Sequence, residues 1–374
     1  MTKAAELAKM GEVLTNSQIG GRRNIIINGA MQVAQRSTSE TGVGGSAGYF
    51  TVDRMYYFEN GTTDVRFTQS QSTDVPTGEG FAKSLKFDCT TADASLAADN
   101  QLTLKYRIEG QDIQQLKWGT SSAEKVTLSF FIKSTKTGTF IVELSRESRK
   151  ISQAYTVSSS DTWEKKTLTF DGDTGGSVVT NDSSNRLEIN YYMGVGTNYS
   201  SGTLDTTWTG GTTANRAVGQ VNAFDNTSNE ILFTGIQLEV GEQATPFEHR
   251  SYGEELALCQ RYFYKSENTD SDYKRYAVVH VESGTNTRTK YPLPVPMRVH
   301  PSLTSSGTLA IYKSNGGITN LSSISLNPVF TQNAGLGFRD VCILAVVSSG
   351  LTSGTIGTLL SNNAAASLQF DAEL

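Results

Sequence analysis

The segment TPFEHRSYGEELALCQRYFYK, residues 245–265, places a glutamate directly beside a histidine. Glu248 and His249 are residue types that carry general acid–base catalysis. Adjacent residues on an extended chain point to opposite sides, however, so these two side chains should not meet. The sequence also lacks the HExxH spacing of a zinc protease. It therefore predicts a structural joint here rather than an active site.

The other side chains of this joint have packing roles that follow from their types. We expect Phe247 to fill the sandwich and Arg250 to pair with Glu254 or Glu255. Tyr252 is predicted to pack where two domains meet. Apolar residues then recur at helical spacing behind the two glutamates, where a helix dipole favours negative charge. The sequence thus predicts a short helix whose apolar face carries Leu256, Cys259, Tyr262 and Phe263.

A second candidate for chemistry is the loop DGDTGGSVVTND, residues 171–182. Asp171 and Asp173 stand where a calcium loop carries its first oxygen ligands. The flanking sequence is typical of strands rather than of the helices of an EF-hand, and Gly175 stands where a third ligand is usual. A hairpin loop is the favoured interpretation. We therefore predict no metal and no cofactor, with Asp171 and Asp173 as the metal candidates to examine.

Hydrolysis of glycans is a third possibility, because it needs two carboxylates on either side of the scissile bond in one groove. Asp53, Glu59, Asp225 and Glu230 could be proposed, but nothing in their spacing selects a pair. We therefore predict a protein that is not an enzyme. A glycan depolymerase with paired acids in a groove between subunits remains an alternative.

Aromatic residues give a stronger indication of binding. Sugars stack their C–H faces on flat rings, with help from a few carboxylate, amide or guanidinium hydrogen bonds. The predicted glycan-binding candidates are Trp208, Tyr199, Trp163, Tyr49, Asp53 and Arg54. The alternative is that most of these rings fill the core or a subunit interface, since strand alternation turns half of them inward. Tyr57 and Tyr191 are predicted to lie in the core.

The elements that must position these residues are strands. Segments such as LTLKYRIEG, KVTLSFFIKS and RLEINYYMGVG alternate apolar and polar residues, the pattern of half-buried strands. Roughly ten such strands in about 220 residues suffice for one sandwich. We predict an all-β protein with a jelly-roll-like β-sandwich at 24–250, a short hinge helix at 251–265, and a second, smaller β-sandwich at 266–374.

Composition excludes several partners. The net charge is −5, the pI is about 5.4, and no long run of Lys and Arg occurs, so nucleic acid is not expected. The three cysteines are too few and too far apart for a disulfide framework or a zinc site. No apolar run is long enough to cross a bilayer, so we expect no membrane insertion.

The N-terminal residues 1–23 lack the apolar centre of a signal peptide. Leu7, Met10, Val13 and Leu14 fall at helical spacing, which indicates a short amphipathic helix that docks on a partner. A frayed tail is the alternative interpretation. We treat this segment as a predicted attachment segment.

Three stretches carry a resemblance to a known family. They are NIIINGAMQVAQRST with YFTVDRMYY, the joint FTGIQLEVGEQATPFEHRSYGEELALCQRYFYKS, and VPMRVHPS with the closing FDAEL. Together they resemble the virion fibre or receptor-binding proteins of tailed phages, especially marine phages. The first domain also looks like a carbohydrate-binding jelly roll, whose first strand is often of the N-x-x-x-N-G type. In such domains an acid pair near the last strand often holds calcium, whereas Thr234 and Gly235 precede IQLEV here.

The resemblance implies a homotrimer on the virion surface, on the tail or capsid, that binds host-surface carbohydrate. It also implies contact with other virion proteins through residues 1–23. The hinge residues of three copies would pack about a shared axis. The alternative within this family is a structural head fibre, decoration protein or tail-assembly protein without a ligand.

Overall fold

The computed structural model describes residue 3 and residues 23–268, 273–327 and 338–374. Contacts divide the chain into two compact units, one that ends at Glu255 and also includes Leu374, and one at Leu256–Glu373. The predicted attachment segment, with its apolar positions from Leu7 to Leu14, lies outside the described residues apart from Lys3 and Arg23. No described helix has the length and hydropathy needed to span a membrane.

The first unit is a β-sandwich of twelve strands. In chain order these are β1 (Ser39–Val43), β2 (Gly48–Tyr49), β3 (Tyr56–Asn60), β4 (Arg66–Ser72), β5 (Ser84–Thr91), β6 (Gln101–Glu109), β7 (Val126–Ser134), β8 (Gly138–Arg146), β9 (Arg149–Val157), β10 (Glu164–Phe170), β11 (Asn185–Val195) and β12 (Glu230–Val240). A short helix, α1 (Thr197–Ser200), and three 3-10 turns interrupt them: Gly110–Asp112, Gln114–Leu116 and Thr213–Asn215.

These strands form two antiparallel sheets of six. Sheet A has the order β1-β4-β5-β12-β7-β10, and sheet B has the order β2-β3-β6-β11-β8-β9. The chain crosses between the sheets at nearly every connection from β3 onward, which is the jelly-roll arrangement. The predicted all-β, jelly-roll-like sandwich is confirmed.

The core lies between the two sheets and follows strand alternation. In β7, Val126, Leu128, Phe130 and Ile132 are buried in it, and β11 contributes Tyr191 from the opposite sheet. The Phe130 and Tyr191 rings meet edge to face, with centroids 5.3 Å apart. Tyr57 and Tyr191 are both fully buried, which confirms their predicted core positions.

The dipeptide Thr234-Gly235 lies at an irregularity in β12, where the pairing with β7 shifts register between Thr234 and Gln237. Gly235 has a φ of +61°, and an added Cβ would lie 2.6 Å from the Phe81 ring. A side chain there would clash with the aromatic packing, and positive φ favours glycine. The position where related-looking domains carry acids therefore serves backbone geometry here.

The second unit is also all β. Its strands are β13 (Phe263–Glu267), β14 (Arg275–Val281), β15 (Asn286–Met297), β16 (Ser302–Ser306), β17 (Leu309–Lys313), β18 (Ile318–Leu326), β19 (Phe338–Val347), β20 (Ile356–Ser361) and β21 (Ser367–Asp371). A sandwich was predicted, but six strands close into a barrel of order β14-β15-β19-β18-β17-β20, beside a three-stranded sheet β13-β21-β16. The barrel closes because β14 pairs with β15 on one side and with β20 on the other.

The helix in the joint is shorter than the sequence pattern indicates. Helix α2 spans Tyr252–Gln260, and the aromatic run after it begins strand β13 at Phe263. Strand β13 pairs with β21, with Phe263 opposite Asp371. Helical spacing overestimated the helix because aromatic residues also favour strands, and the partner strand lies about 100 residues further along the chain.

Candidate functional site

The outer face of sheet B carries polar and aromatic side chains, because residues that alternate with its core positions point away from the core. Strand register places them side by side. Tyr56 of β3 lies opposite Lys105 of β6, and Arg107 of β6 lies opposite Glu188 of β11. We call this surface the charged face. It comprises Tyr49, Tyr56, Phe58, Lys105, Arg107, Glu143, Glu188, Asn190, Tyr192, Tyr199 and Arg216.

The centre of the charged face is an ion cluster on one carboxylate. Lys105 Nζ lies 2.9 Å from Glu188 Oε1, and Arg107 Nε lies 3.0 Å from Glu188 Oε2. The side chains of Lys105 and Glu188 are only 9% and 15% exposed. Burial disfavours the ionised Glu188, but the two cations outweigh this effect and lower the pKa of its carboxyl. The cluster is therefore a fixed, ionised arrangement of donors and acceptors.

Aromatic rings frame this cluster at the β2–β3 edge. Lys105 Nζ lies 3.8 Å from the centroid of the Phe58 ring, and Arg107 Cζ lies 4.1 Å from that of Tyr56. The Tyr49 ring packs edge to face on Tyr56 with centroids 4.9 Å apart. Tyr56 and Phe58 are half-buried, so their rings remain accessible. Arg107 and Tyr49 also donate hydrogen bonds to the backbone oxygen of Leu374, which belongs to the same unit.

The other side of the charged face is a second ion pair. Arg216 donates two hydrogen bonds to Glu143, Nε to Oε2 at 2.8 Å and Nη2 to Oε1 at 2.7 Å. Tyr192 donates to the same carboxylate at 3.4 Å. Burial disfavours the charged guanidinium, but the hydrogen bonds to Glu143 raise the pKa of Arg216 overall. The Arg216 guanidinium also lies 5.8 Å from the ring centroid of Tyr199.

This arrangement suits binding better than hydrolysis. A glycosidase needs a carboxylic acid whose pKa is raised, so that it can donate a proton at neutral pH. The pKa of Glu188 is shifted in the opposite direction, and Glu143 is fully buried and bound by Arg216. What the face does offer is fixed hydrogen-bonding groups beside flat rings, the combination that a polyhydroxylated ligand requires.

The predicted aromatic candidates fall in three places. Tyr49 and Tyr199 lie on the charged face. Trp163 does not, because its Nε1 donates to Asp74 at 2.9 Å and its ring packs with the Phe81 cluster on sheet A. Trp208 packs edge to face on Trp118 at 5.2 Å, and its Nε1 donates to the Asp171 carbonyl. The latter two indoles are held in the structure and do not form an exposed platform.

Asp53 and Arg54 are structural residues. Both are buried, with 0% and 1% exposure. Asp53 accepts a hydrogen bond from the Gln35 backbone at 2.9 Å, and Arg54 donates to the Arg107 carbonyl at 2.7 Å. The prediction that they contact glycan is wrong, because neither reaches the surface.

Sequence reasoning missed most of the charged face. None of Lys105, Arg107, Glu188 and Arg216 was a predicted site residue, and nor was Phe58. A signal was present in LTLKYRIEG and RLEINYYMG, where charged residues alternate with core residues. It could not show that the two strands are neighbours, because β6 and β11 are separated by about 80 residues in the chain.

The calcium-like loop is closed by arginines. Asp173 is fully buried and accepts from Arg146 Nη1 at 2.7 Å and from Arg149 Nε at 2.8 Å. Asp171 lies 3.3 Å from Lys125. Among the residues that the structure describes, no group of three His, Cys, Asp or Glu side chains is placed to hold a metal. Two guanidinium groups thus stand where a calcium ion would balance the charge of Asp173.

The other carboxylates considered for hydrolysis have separate structural partners. Glu59 accepts from the Tyr57 hydroxyl at 2.8 Å. Asp225 pairs with Lys136, and Glu230 pairs with Lys86.

Glu248 and His249 do not act on one site. The Glu248 carboxylate accepts from the backbone N–H groups of Asn24 at 2.8 Å and Arg23 at 3.3 Å. The His249 ring packs instead on Phe81, with centroids 5.4 Å apart. Phe247 packs on Phe81 as well, on the outer face of sheet A rather than inside the sandwich as predicted. The joint interpretation of this pair is confirmed, and the predicted position of Phe247 is wrong.

The remaining joint residues differ in their exposure. Arg250 pairs with Glu255 at 3.3 Å, one of its two predicted partners. Tyr252 is 58% exposed and so packs against little of this chain, contrary to the prediction. Leu256 is half-buried. Cys259, Tyr262 and Phe263 are at most 2% exposed, so these three are buried within one chain and do not face a shared axis.

Comparisons with known proteins give distant structural likenesses. No family model matches the sequence, and no curated protein matches it. An enzymatically active domain of tailspike protein 4 from bacteriophage CBA120 aligns with 58% of this chain and 21% of its own, at 14% identity and a TM-score of 0.31. A putative sugar binding protein from Bacteroides thetaiotaomicron aligns over 59% of this chain and 100% of its own, at 13% identity and a TM-score of 0.31.

A third structure, TmCBM61 in complex with beta-1,4-galactotriose, aligns over 59% of this chain and 100% of its own, at 9% identity and a TM-score of 0.28. All three TM-scores are below 0.5. The fold of this chain is therefore judged from its own strand order, and its binding properties from the charged face.

Proposed function

We propose that the first unit is a carbohydrate-binding domain and that the charged face holds its ligand. The observation that carries this proposal is the row of half-buried rings, Tyr56 and Phe58, directly beside the ionised cluster on Glu188. The rings supply flat surfaces for sugar C–H groups, and the cluster supplies oriented donors and acceptors for hydroxyls. Because these groups are held by one another, little entropy is lost when a ligand binds.

The test is direct binding of the full chain to an array of polysaccharides, followed by calorimetry on any that bind. Tyr56→Ala should weaken binding about tenfold or more by removing the central ring. Tyr273→Ala is the matched control, because Tyr273 is 54% exposed and belongs to the second unit. Equal loss in both variants, or binding that Tyr56→Ala leaves unchanged, would contradict the proposed site.

At the level of the particle, we propose a virion fibre protein that contacts host-surface glycans. The support is the resemblance of NIIINGAMQVAQRST, the joint and FDAEL to phage fibre proteins. Immunogold labelling of intact phage with antibody to this chain would test it. Label at the tail tip or capsid surface together with glycan binding supports a receptor-binding fibre. Label without glycan binding supports the structural alternative, and no label on particles contradicts both.

The same resemblance supports a homotrimer. Since Cys259, Tyr262 and Phe263 are buried within one chain, other surfaces would have to join the copies. The barrel offers an exposed apolar row, in which Val278, Thr358, Tyr312 and Ile318 are neighbours on four adjacent strands. Val278 is 66% exposed, which is unusual for an apolar strand residue next to other apolar residues. We propose that this row contributes to the contact between copies.

A further inference from the structure

The charged face has an excess of positive charge, although the whole chain has a net charge of −5. Its cations are Arg36, Lys105, Arg107, Lys150 and Arg216, and its acids are Glu143, Glu188 and Asp205. Arg36 lies 5.1 Å from the Tyr49 ring at one end. Lys150 is near Arg216, Glu143 and Asp205 at the other end. The surplus therefore extends along the face.

The surplus is concentrated at Glu188. One carboxylate there neutralises two cations, Lys105 and Arg107, whereas Arg216 has Glu143 to itself. Burial lowers the pKa of Lys105, and the nearby Arg107 and Arg216 lower it further. Cations crowded in a partly buried place are stabilised by an additional negative charge.

The ring arrangement indicates where that charge would lie. Phe58 covers Lys105, and Tyr56 covers Arg107, on the β3 side of the cluster. A sugar that stacks on these rings brings the substituents at its rim within reach of the two cations. Guanidinium groups bind planar carboxylates through two parallel hydrogen bonds, the geometry that Arg216 already shows with Glu143.

We propose that the ligand is an acidic polysaccharide whose sugar carboxylate binds between Lys105 and Arg107. This inference rests on the proposed function, since it assigns a ligand class to the same face. It excludes neutral glycans as the preferred ligands.

The experiment uses calorimetry with the full chain and three polyuronates: alginate, polygalacturonate and hyaluronate. Each is compared with its carboxyl-reduced form, which keeps the sugar backbone and removes the charge. At least one polyuronate should bind at least about tenfold more tightly than its reduced form, because a hydrogen-bonded charge is lost. Its binding should weaken as salt is raised from 50 to 500 mM, as screening requires. Arg107→Gln should remove most of the preference for the charged form.

Two further variants separate charge recognition from a folding defect. The double variant Arg107→Gln, Glu188→Gln leaves neither partner as an unpaired charge, and it should fold and lose the preference as well. Lys117→Gln is the control, since Lys117 pairs with Glu124 in an exposed loop and should leave binding unchanged. Melting curves confirm that each variant is folded.

The outcomes distinguish this inference from the proposed function. Equal binding of charged and reduced forms, or binding of reduced forms alone, overturns the acidic ligand and leaves carbohydrate binding intact. Tighter binding of dextran sulfate than of every polyuronate overturns the carboxylate assignment. If no polysaccharide of either kind binds, both the inference and the proposed function are wrong.

Discussion

Arg216 and Glu143 form a two-bond ion pair in which the carboxylate is completely buried and the guanidinium side chain is only 15% exposed. Arg216 comes from the long connection between β11 and β12, whereas Glu143 lies on β8. The pair therefore fixes that connection over the outer face of sheet B. Tyr192 and Ala217 are buried beneath it.

Replacing Arg216 by Met should destabilise the first unit by about 3–5 kcal/mol, because it leaves Glu143 buried without a counter-charge. Denaturant unfolding followed by circular dichroism measures this. The double variant Arg216→Met, Glu143→Met should recover most of the loss, since neither charge remains. Arg186→Met should change stability by about 1 kcal/mol or less, because its pair with Asp182 is solvent-accessible. Similar losses for Arg216→Met and Arg186→Met would show that the buried pair is not special.

The loop at 171–182 should depend on arginine rather than on calcium. Asp173→Ala leaves Arg146 buried and unpaired, so we expect a loss of about 3–5 kcal/mol in unfolding free energy. EDTA should leave the melting temperature of the natural chain unchanged. A melting temperature that falls with EDTA and recovers with calcium would contradict the arginine interpretation.

Alkaline pH should unfold the sandwich through its buried tyrosines. Burial raises the pKa values of Tyr155, Tyr191 and Tyr192 above the ordinary value of 10.0. A group whose pKa is higher in the folded state stabilises the fold below its unfolded pKa, and that stability is lost as pH rises. Stability should therefore hold up to about pH 10 and decrease above it. Tyrosinate absorbance should show one group of tyrosines that ionises freely and another that ionises only with the loss of circular dichroism.

The apolar row of the barrel should affect assembly and not folding. Val278→Asp combined with Ile356→Asp places two charges on side chains that are 66% and 61% exposed. Light scattering after size exclusion should then show a smaller assembly with an unchanged melting temperature of the dilute protein. Val178→Asp is the control, because Val178 is equally exposed but belongs to the first unit. Unchanged mass in the double variant would remove the row from the interface.

Local sequence signals were accurate where the structure is local. Ile113, Leu116 and Trp118 were expected to share one face of a turn in EGQDIQQLKWG, and all three are fully buried beside 3-10 turns. The alternation in KVTLSFFIKS correctly assigned the core side of β7. The stretch NIIING was expected to be a strand, but Asn24 and Asn28 hold it as an irregular segment. Asn24 accepts from Leu238 N–H at 3.1 Å, and Asn28 donates to the Asp53 carbonyl at 3.0 Å.

By itself, the sequence determined the all-β class, the alternation that builds the sandwich core, and the joint around Glu248, because these depend on spacing along one short segment. Tertiary structure alone decided which charges meet on the charged face, that six strands of the second unit close into a barrel, and that Asp53 is buried. Each of these depends on pairing between strands far apart in the chain. Strand register can place Arg107 against Glu188, or turn the same side chains away from each other, without any change in the local pattern.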